Sequence, residues 1–206
     1  MTDLVKIADD LYYLKAADEP LSADIGIVYG KEYTWIFDVG ASDEAAAMIT
    51  SLPGKKNVVL SHFHPDHIHN LSKINYHHLY VSAHTYKYTK CGEIVNDAIV
   101  VDDGVLLKIF VLPSSHAKGS IGLEVNEAYA FLGDGVYSQL KSGKVAYNAN
   151  VLQAEIKLLK GLKASYFLLS HDKNFVCAKE KVIEDLEKIY ALRDEKSAFI
   201  FISEDD

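Results

Sequence analysis

Apolar and polar positions alternate through the first third of the chain, in LYYLKA, IGIVYG and YTWIFDVG, with polar or glycine-bearing breaks at DEPLSAD and GKE. Successive strand residues face opposite sides, so this alternation predicts a meander of antiparallel strands with one buried face. Ser42 and Asp43 then offer an N-cap to a helix over EAAAMITSL, since their oxygens can accept the free N–H groups of a first turn. Pro53-Gly54 ends that helix, and the apolar strand NVVL follows and runs into Ser61-His62. LYVSA, VLLKIFVLP, SIGLEV and AYAFLGDG read as further strands, while HTYKYTKCG shows no clear period. After a Gly- and Asn-bearing loop, Leu152, Ile156, Leu159 and Leu162 recur at helical spacing, and SYFLLSH returns to strand. Val182, Leu186, Ile189 and Tyr190 mark a last long helix before AFIFI. That final strand has two destinations: the chain's own sheet, or an edge-to-edge homo-oligomer.

The pattern repeats itself. TWIFDVG, a helix and NVVLSH in the first half are echoed by YAFLGDG, a helix and YFLLSH in the second. Two such αβ units could share this order by common propensity alone. Both halves, however, deliver Asp and His at strand ends, where open α/β folds place their chemistry.

Composition narrows the partners. A chain of 206 residues, 49% hydrophobic, fits one domain over residues 1–206. Its 29 acidic and 21 basic side chains give a net charge of −8, which repels phosphate backbones and anionic membranes. Nucleic acid and membrane are therefore not expected partners; a small-molecule substrate is. Arg193 is the only arginine, so bidentate clamps on carboxylate or phosphate are nearly excluded. The opening MTDLVKIADD lacks a basic run before an apolar stretch, and no segment has the length to cross a bilayer, which predicts a cytoplasmic protein. Cys91 and Cys177 are too few for a disulfide framework, and neither carries a functional reading.

SHFHPDHIHN, Ser61 to Asn70, concentrates the chemistry. His62 and His64 stand two apart, so an extended backbone points both imidazoles to one side, and Pro65 stiffens the turn beyond. Asp66 and His67 can diverge toward a second position. A metal ion wants four to six donors, more than this segment gives either position. His116 after VLLKIFVLP, Asp134 after AYAFLG and His171 after SYFLLS supply the remainder from strand ends, and the Asp134 carboxylate has an oxygen for each ion. His69, His77, His78 and His84 are read as ordinary polar residues, with His69 at the rim. Five imidazoles and two carboxylates without a thiolate suit two divalent ions, zinc first, with iron or manganese compatible with the same donors.

With these residues in place, the sequence resembles the metallo-β-lactamase-fold hydrolases, in particular their dinuclear glyoxalase II-like branch. The resemblance spans most of the chain, since Asp38 in FDVG stands where that superfamily keeps a buried Asp. It implies an α/β fold, an αββα four-layer sandwich of two mixed β-sheets flanked by helices. It also implies that His62, His64 and His116 hold one ion and Asp66, His67 and His171 the other, with Asp134 bridging. His69-Asn70 stand where many members have paired glycines, so substrate contacts there differ. The main zinc β-lactamases use Cys at the position of Asp134, the diiron flavoproteins use Glu at that of His64, and glyoxalase II proper continues into a helical glutathione-binding domain.

Two ions sharing an oxygen lower the pKa of water from about 15.7 toward 7, which predicts a bridging hydroxide as nucleophile. Asp66 would orient it, as the catalytic carboxylate. Asp38 either receives an imidazole N–H or caps the helix that follows it. Lys118, Lys141 and Lys144 are candidates to steer an anionic substrate, and Tyr137, Tyr147 and DEPLSAD to wall an apolar pocket. The leading expectation is a hydrolase of small thioesters, lactones or similar acyl compounds. A nucleotide phosphodiesterase and a metal-binding module without turnover are the alternatives.

Overall fold

The fold is seen in a computed structural model that describes residues 4–202. The alternating first third becomes β1 (Val5–Ala8) and β2 (Leu11–Leu14), then β3 (Ala17–Asp18) and β4 (Leu21–Ser22) as a small hairpin, then β5 (Ile25–Tyr29) and β6 (Tyr33–Phe37). Helix α1 (Asp43–Ser51) starts where Ser42 Oγ accepts the Ala45 N–H. It leads to β7 (Lys55–Val59), the single turn α2 (Pro65–Ile68) with a 3₁₀ turn over His69–Lys73, β8 (His78–Val81), the single turn α3 (Tyr86–Thr89) and β9 (Glu93–Ile94). These strands form one sheet in the order β1-β2-β5-β6-β7-β8-β9, antiparallel as far as β6 and parallel from there.

The second half gives β10 (Ile99–Asp102), β11 (Leu106–Leu112), β12 (Ser120–Val125), β13 (Tyr129–Gly133), β14 (Gln139–Lys141) and β15 (Lys144–Asn148). Helix α4 (Ala149–Gly161), capped by Asn148 Oδ1, precedes β16 (Tyr166–Leu169), β17 (Val176–Ala178), α5 (Lys179–Ala191) and β18 (Phe199–Phe201). The second sheet runs β10-β11-β12-β13-β16-β17, and its one parallel pair is β13 with β16. Each sheet therefore contains a parallel pair joined through a helix, β6-α1-β7 and β13-α4-β16, which is the repeat seen in the sequence.

Three separate cores set the layers. Ile25, Ile27, Ile36 and Val58 face one way and pack on Ala45, Ile49 and Leu52 around α1. Trp35, Phe37 and Val59 face the other way, against Leu107, Ile109, Ile121 and Phe131 of the second sheet. Leu132, Phe167 and Leu169 then cover Leu152, Ile156 and Leu159 of α4 and Val182 and Leu186 of α5. The order is helix, sheet, sheet, helix, an αββα sandwich. Each buried side chain of this kind stabilises the fold by roughly 1.5–3 kcal/mol.

Three local readings change. The loop after β13 contains the hairpin β14–β15, because Ser142 and Gly143 take φ of 52° and 76° and make the two-residue turn that such φ values permit. HTYKYTKCG holds α3, stopped by Lys90 in the left-handed conformation. AFIFI pairs with β15 through Phe199–Phe201 and forms the edge of a three-stranded sheet of its own chain.

Candidate metal centre

The seven side chains singled out in the sequence converge at the strand ends of the two sheets. Their possible donor atoms form two groups, each lying within 4.8 Å of one another: His62 with His64 and His116, and Asp66 with His67, Asp134 and His171. His62 and His64 follow β7 on either side of a bend at Phe63, with His64 in extended conformation, and their ring centroids lie 4.4 Å apart. Phe63 instead stacks on Tyr88 at 4.5 Å. Pro65 opens α2, so Asp66 and His67 fall in the first turn and swing to the second group.

Asp134 stands between the groups. Its Oδ2 lies 3.4 Å from His116 Nε2 and 3.3 Å from His67 Nε2, and its buried Oδ1 has no hydrogen-bond partner. His171 Nε2 lies 3.0 Å from Asp66 Oδ2, and His116 Nε2 lies 3.1 Å from His64 Nδ1. His62 Nε2 and His67 Nε2 are likewise buried without a partner. Orphaned buried polar atoms cost roughly 1–3 kcal/mol each, and these three belong to the two donor groups, where a bound cation would satisfy them.

Asp38 and Ser61 decide how two of these rings present themselves. Asp38 is fully buried at φ 62°, beyond the end of β6. Its Oδ1 accepts the Ser61 N–H at 2.7 Å, and its Oδ2 accepts the Ser61 hydroxyl at 2.7 Å and His67 Nδ1–H at 2.8 Å. Because the Ser61 hydrogen goes to Asp38, the contact of Ser61 Oγ with His62 Nδ1 at 2.9 Å has the imidazole donating. Both rings are thereby fixed with Nδ1 protonated and Nε2 turned to the cluster. Asp38 accepts an imidazole N–H, and the helix cap belongs to Ser42. His116 is set the same way, with Nδ1 3.0 Å from the Ser138 carbonyl.

Burial, followed by the neighbouring imidazoles, pushes the pKa of His62 far below the usual histidine range, so it is a neutral ligand type. Burial acts on His67 too, but the carboxylates of Asp38 and Asp134 overcome it and raise His67 to about 10. A group that holds a proton this firmly among carboxylates would release it to a cation taking its place. Asp66 is pushed up by burial, yet His171 and His67 outweigh that and keep it below the usual carboxylate range.

No family model and no curated protein matches the sequence. Solved structures do. An archaeal metallo-beta-lactamase superfamily protein from Sulfolobus tokodaii is similar over 93% of this chain and 89% of its own, at 18% identity and a TM-score of 0.62. A B3 metallo-beta-lactamase with an active-site glutamic acid is similar over 91% and 88%, at 12% identity and a TM-score of 0.67. This chain has the metallo-β-lactamase fold. A flavoprotein from Thermotoga maritima shares that fold at 14% identity and a TM-score of 0.71, over 94% of this chain and only 62% of the Thermotoga chain. Within this fold, no helix among the described residues is long and apolar enough to cross a membrane.

A cleft of about 730 Å³ opens over both groups. Asp18, Leu21 and Asp24 of the DEPLSAD segment line it. Tyr137 sits behind His116, at 6.3 Å between centroids, and donates its hydroxyl to the Ser170 carbonyl. Lys118 and Lys144 lie outside the lining, and Lys141 rests over the Phe199 ring. Tyr147 is buried, donating to the Val136 carbonyl, and His69 borders a separate apolar groove behind Phe63. The sequence reading missed Tyr13, Lys15, Lys173 and Phe175 of the cleft wall, whose only signal was their nearness to strand ends and to His171.

Proposed function

We propose that the chain is a dinuclear metal-dependent hydrolase of small acyl substrates such as thioesters or lactones. The observation that carries this reading is Asp134 Oδ2, within 3.4 Å of one donor group and 3.3 Å of the other. His62, His64 and His116 would hold one divalent ion, Asp66, His67 and His171 the second, and Asp134 would reach both. Nitrogen and carboxylate donors without thiolate favour zinc, with iron or manganese the competing ions. When bound, such a pair lowers the pKa of water from about 15.7 toward 7 and polarises a carbonyl oxygen.

The chain's own groups do the positioning. Asp66, half-buried and kept ionised, accepts a hydrogen bond from a water entering the cleft and fixes its direction. Buried His62 and His67 keep solvent from the floor, and Asp38 with Ser61 holds their tautomers through the reaction. The acidic balance of −8 supports a small-molecule substrate over nucleic acid. Elemental analysis is expected to give about two ions per chain, one for each donor group. A panel of thioesters, lactones and bis-p-nitrophenyl phosphate, assayed before and after chelation, tests the chemistry. Chelator-sensitive acyl turnover supports the reading; faster phosphodiester cleavage, or two tightly held ions with no turnover, overturns it.

A further inference from the structure

The cleft has two cations of its own. Lys15 and Lys173 are the only basic side chains, histidines apart, in its lining. Both are exposed, and neither joins an ion pair among the described residues, whereas Lys6, Lys73, Lys160, Lys163 and Lys188 all do. They come from opposite ends of the sequence but from one wall. Asp24 Oδ1 accepts the Ala16 N–H and Asp24 Oδ2 accepts the His171 N–H, each at 2.9 Å, so one buried carboxylate ties the two backbones that carry the lysines. Beside it, Tyr13 and Phe175, both in the cleft lining, stack on each other at 4.1 Å with an interplanar angle of 13°. Leu21, 56% exposed, extends the apolar part of the rim.

Charge decides what this wall can take. Against the two lysines the lining carries five aspartates, Asp18, Asp24, Asp66, Asp134 and Asp172, a balance of −3. Two divalent cations would turn it to +1, and to zero with the hydroxide they would generate, in a chain whose total is −8. The mouth would then no longer repel an anion, and the free ammonium groups of Lys15 and Lys173 belong to its lining.

Resting on the proposed hydrolase reading, we infer that the substrate is an acyl compound with a carboxylate and an apolar or aromatic body. Lys15 and Lys173 bind the carboxylate, and the Tyr13–Phe175 pair with Leu21 packs the body. The lysines act as specificity-determining groups, selecting anionic esters over neutral ones of the same shape.

The test pairs two readouts in the intact, metal-loaded chain. The first compares kcat/KM for 4-acetoxybenzoate and for phenyl acetate, in the native protein and in K15Q/K173Q. The ratio of anionic to neutral ester is expected to fall about tenfold in the double variant, carried by KM, with metal content unchanged; each exposed pairing contributes modestly, so two together reach that size. The second is calorimetric titration with 3-phenylpropanoate, which cannot be hydrolysed, and the double variant is expected to bind it about tenfold more weakly. Chelator-sensitive turnover of both esters with an unchanged ratio and unchanged phenylpropanoate binding overturns the inference and leaves the hydrolase reading standing. Absence of any ester turnover, with lysine-dependent phenylpropanoate binding intact, overturns the hydrolase reading and supports the anion site. A double variant that loses metal shows the lysines to be structural and overturns the inference.

Discussion

The two halves of the molecule use the same plan with different chemistry at the turn. In the first, Asp38 just beyond β6 takes φ 62° and its carboxylate accepts the Ser61 N–H just beyond the parallel neighbour β7. In the second, β13 ends at Gly133, with φ 56°, and its backbone carbonyl accepts the Ser170 N–H beyond β16. Where a carboxylate fills the left-handed position it is spent on holding Ser61 and His67. Where glycine fills it, the acid moves one residue on, to Asp134, and reaches both donor groups. The first half thus offers four donors from one short, stiff loop, and the second offers His116, Asp134 and His171 from three loops. One strand-turn-helix unit becomes a scaffold and the other a bridge.

The largest effect should come from removing the bridge. Asp134→Ala is expected to lose at least one ion and to lower acyl turnover by about 10³-fold or more, since several kcal/mol of charge stabilisation go with it. Elemental analysis and steady-state rates would check both; retention of two ions would break the contrast between the halves. Asp38→Asn should be milder, costing about 10–100-fold in metal affinity, because the amide no longer orders Ser61, His62 and His67 as one acceptor does. A chelator competition would measure it.

Gly133→Ala sharpens the comparison from the other side. An added Cβ would lie 2.8 Å from Ser61 Cβ and Oγ, in a backbone conformation that side chains disfavour, so a loss of about 1–3 kcal/mol is expected by denaturant unfolding. The smallest effect concerns α4 of the second half alone. Glu155 is fully buried, neither carboxylate oxygen has a partner among the described residues, and burial raises its pKa well above 4.5. The folded chain keeps this proton at pH values where the unfolded chain has lost it, so the burden on stability is absent below about pH 4.5 and grows as pH rises toward the folded pKa. Glu155→Leu should therefore stabilise the protein by about 1 kcal/mol or more at pH 7, with the gain shrinking toward pH 4 in paired unfolding curves.

Much of this was legible in the sequence, for reasons of local physics. The period-two runs became β2, β5, β6, β11, β12, β13 and β16 because each has one face in the core between the sheets and another against a helix or solvent. The helix cap at Ser42 depends on one turn of backbone, and the seven donors stood out as His and Asp types at strand ends. The β14–β15 hairpin was missed although Ser142-Gly143 marks its turn, because short exposed strands carry little alternation.

The sequence by itself determined the order of the longer strands and helices, the repeat of the two halves and the set of side chains able to meet a cation, since periodicity, capping and donor type are properties of neighbours along the chain. Only the tertiary structure decided that Asp134 lies between the two groups, that Asp38 holds His67 directly and His62 through Ser61, and that Lys15 and Lys173 share a wall. Those relations join residues up to 147 positions apart, as His171 N–H and Asp24 are, and such distances close only when two sheets pack face to face.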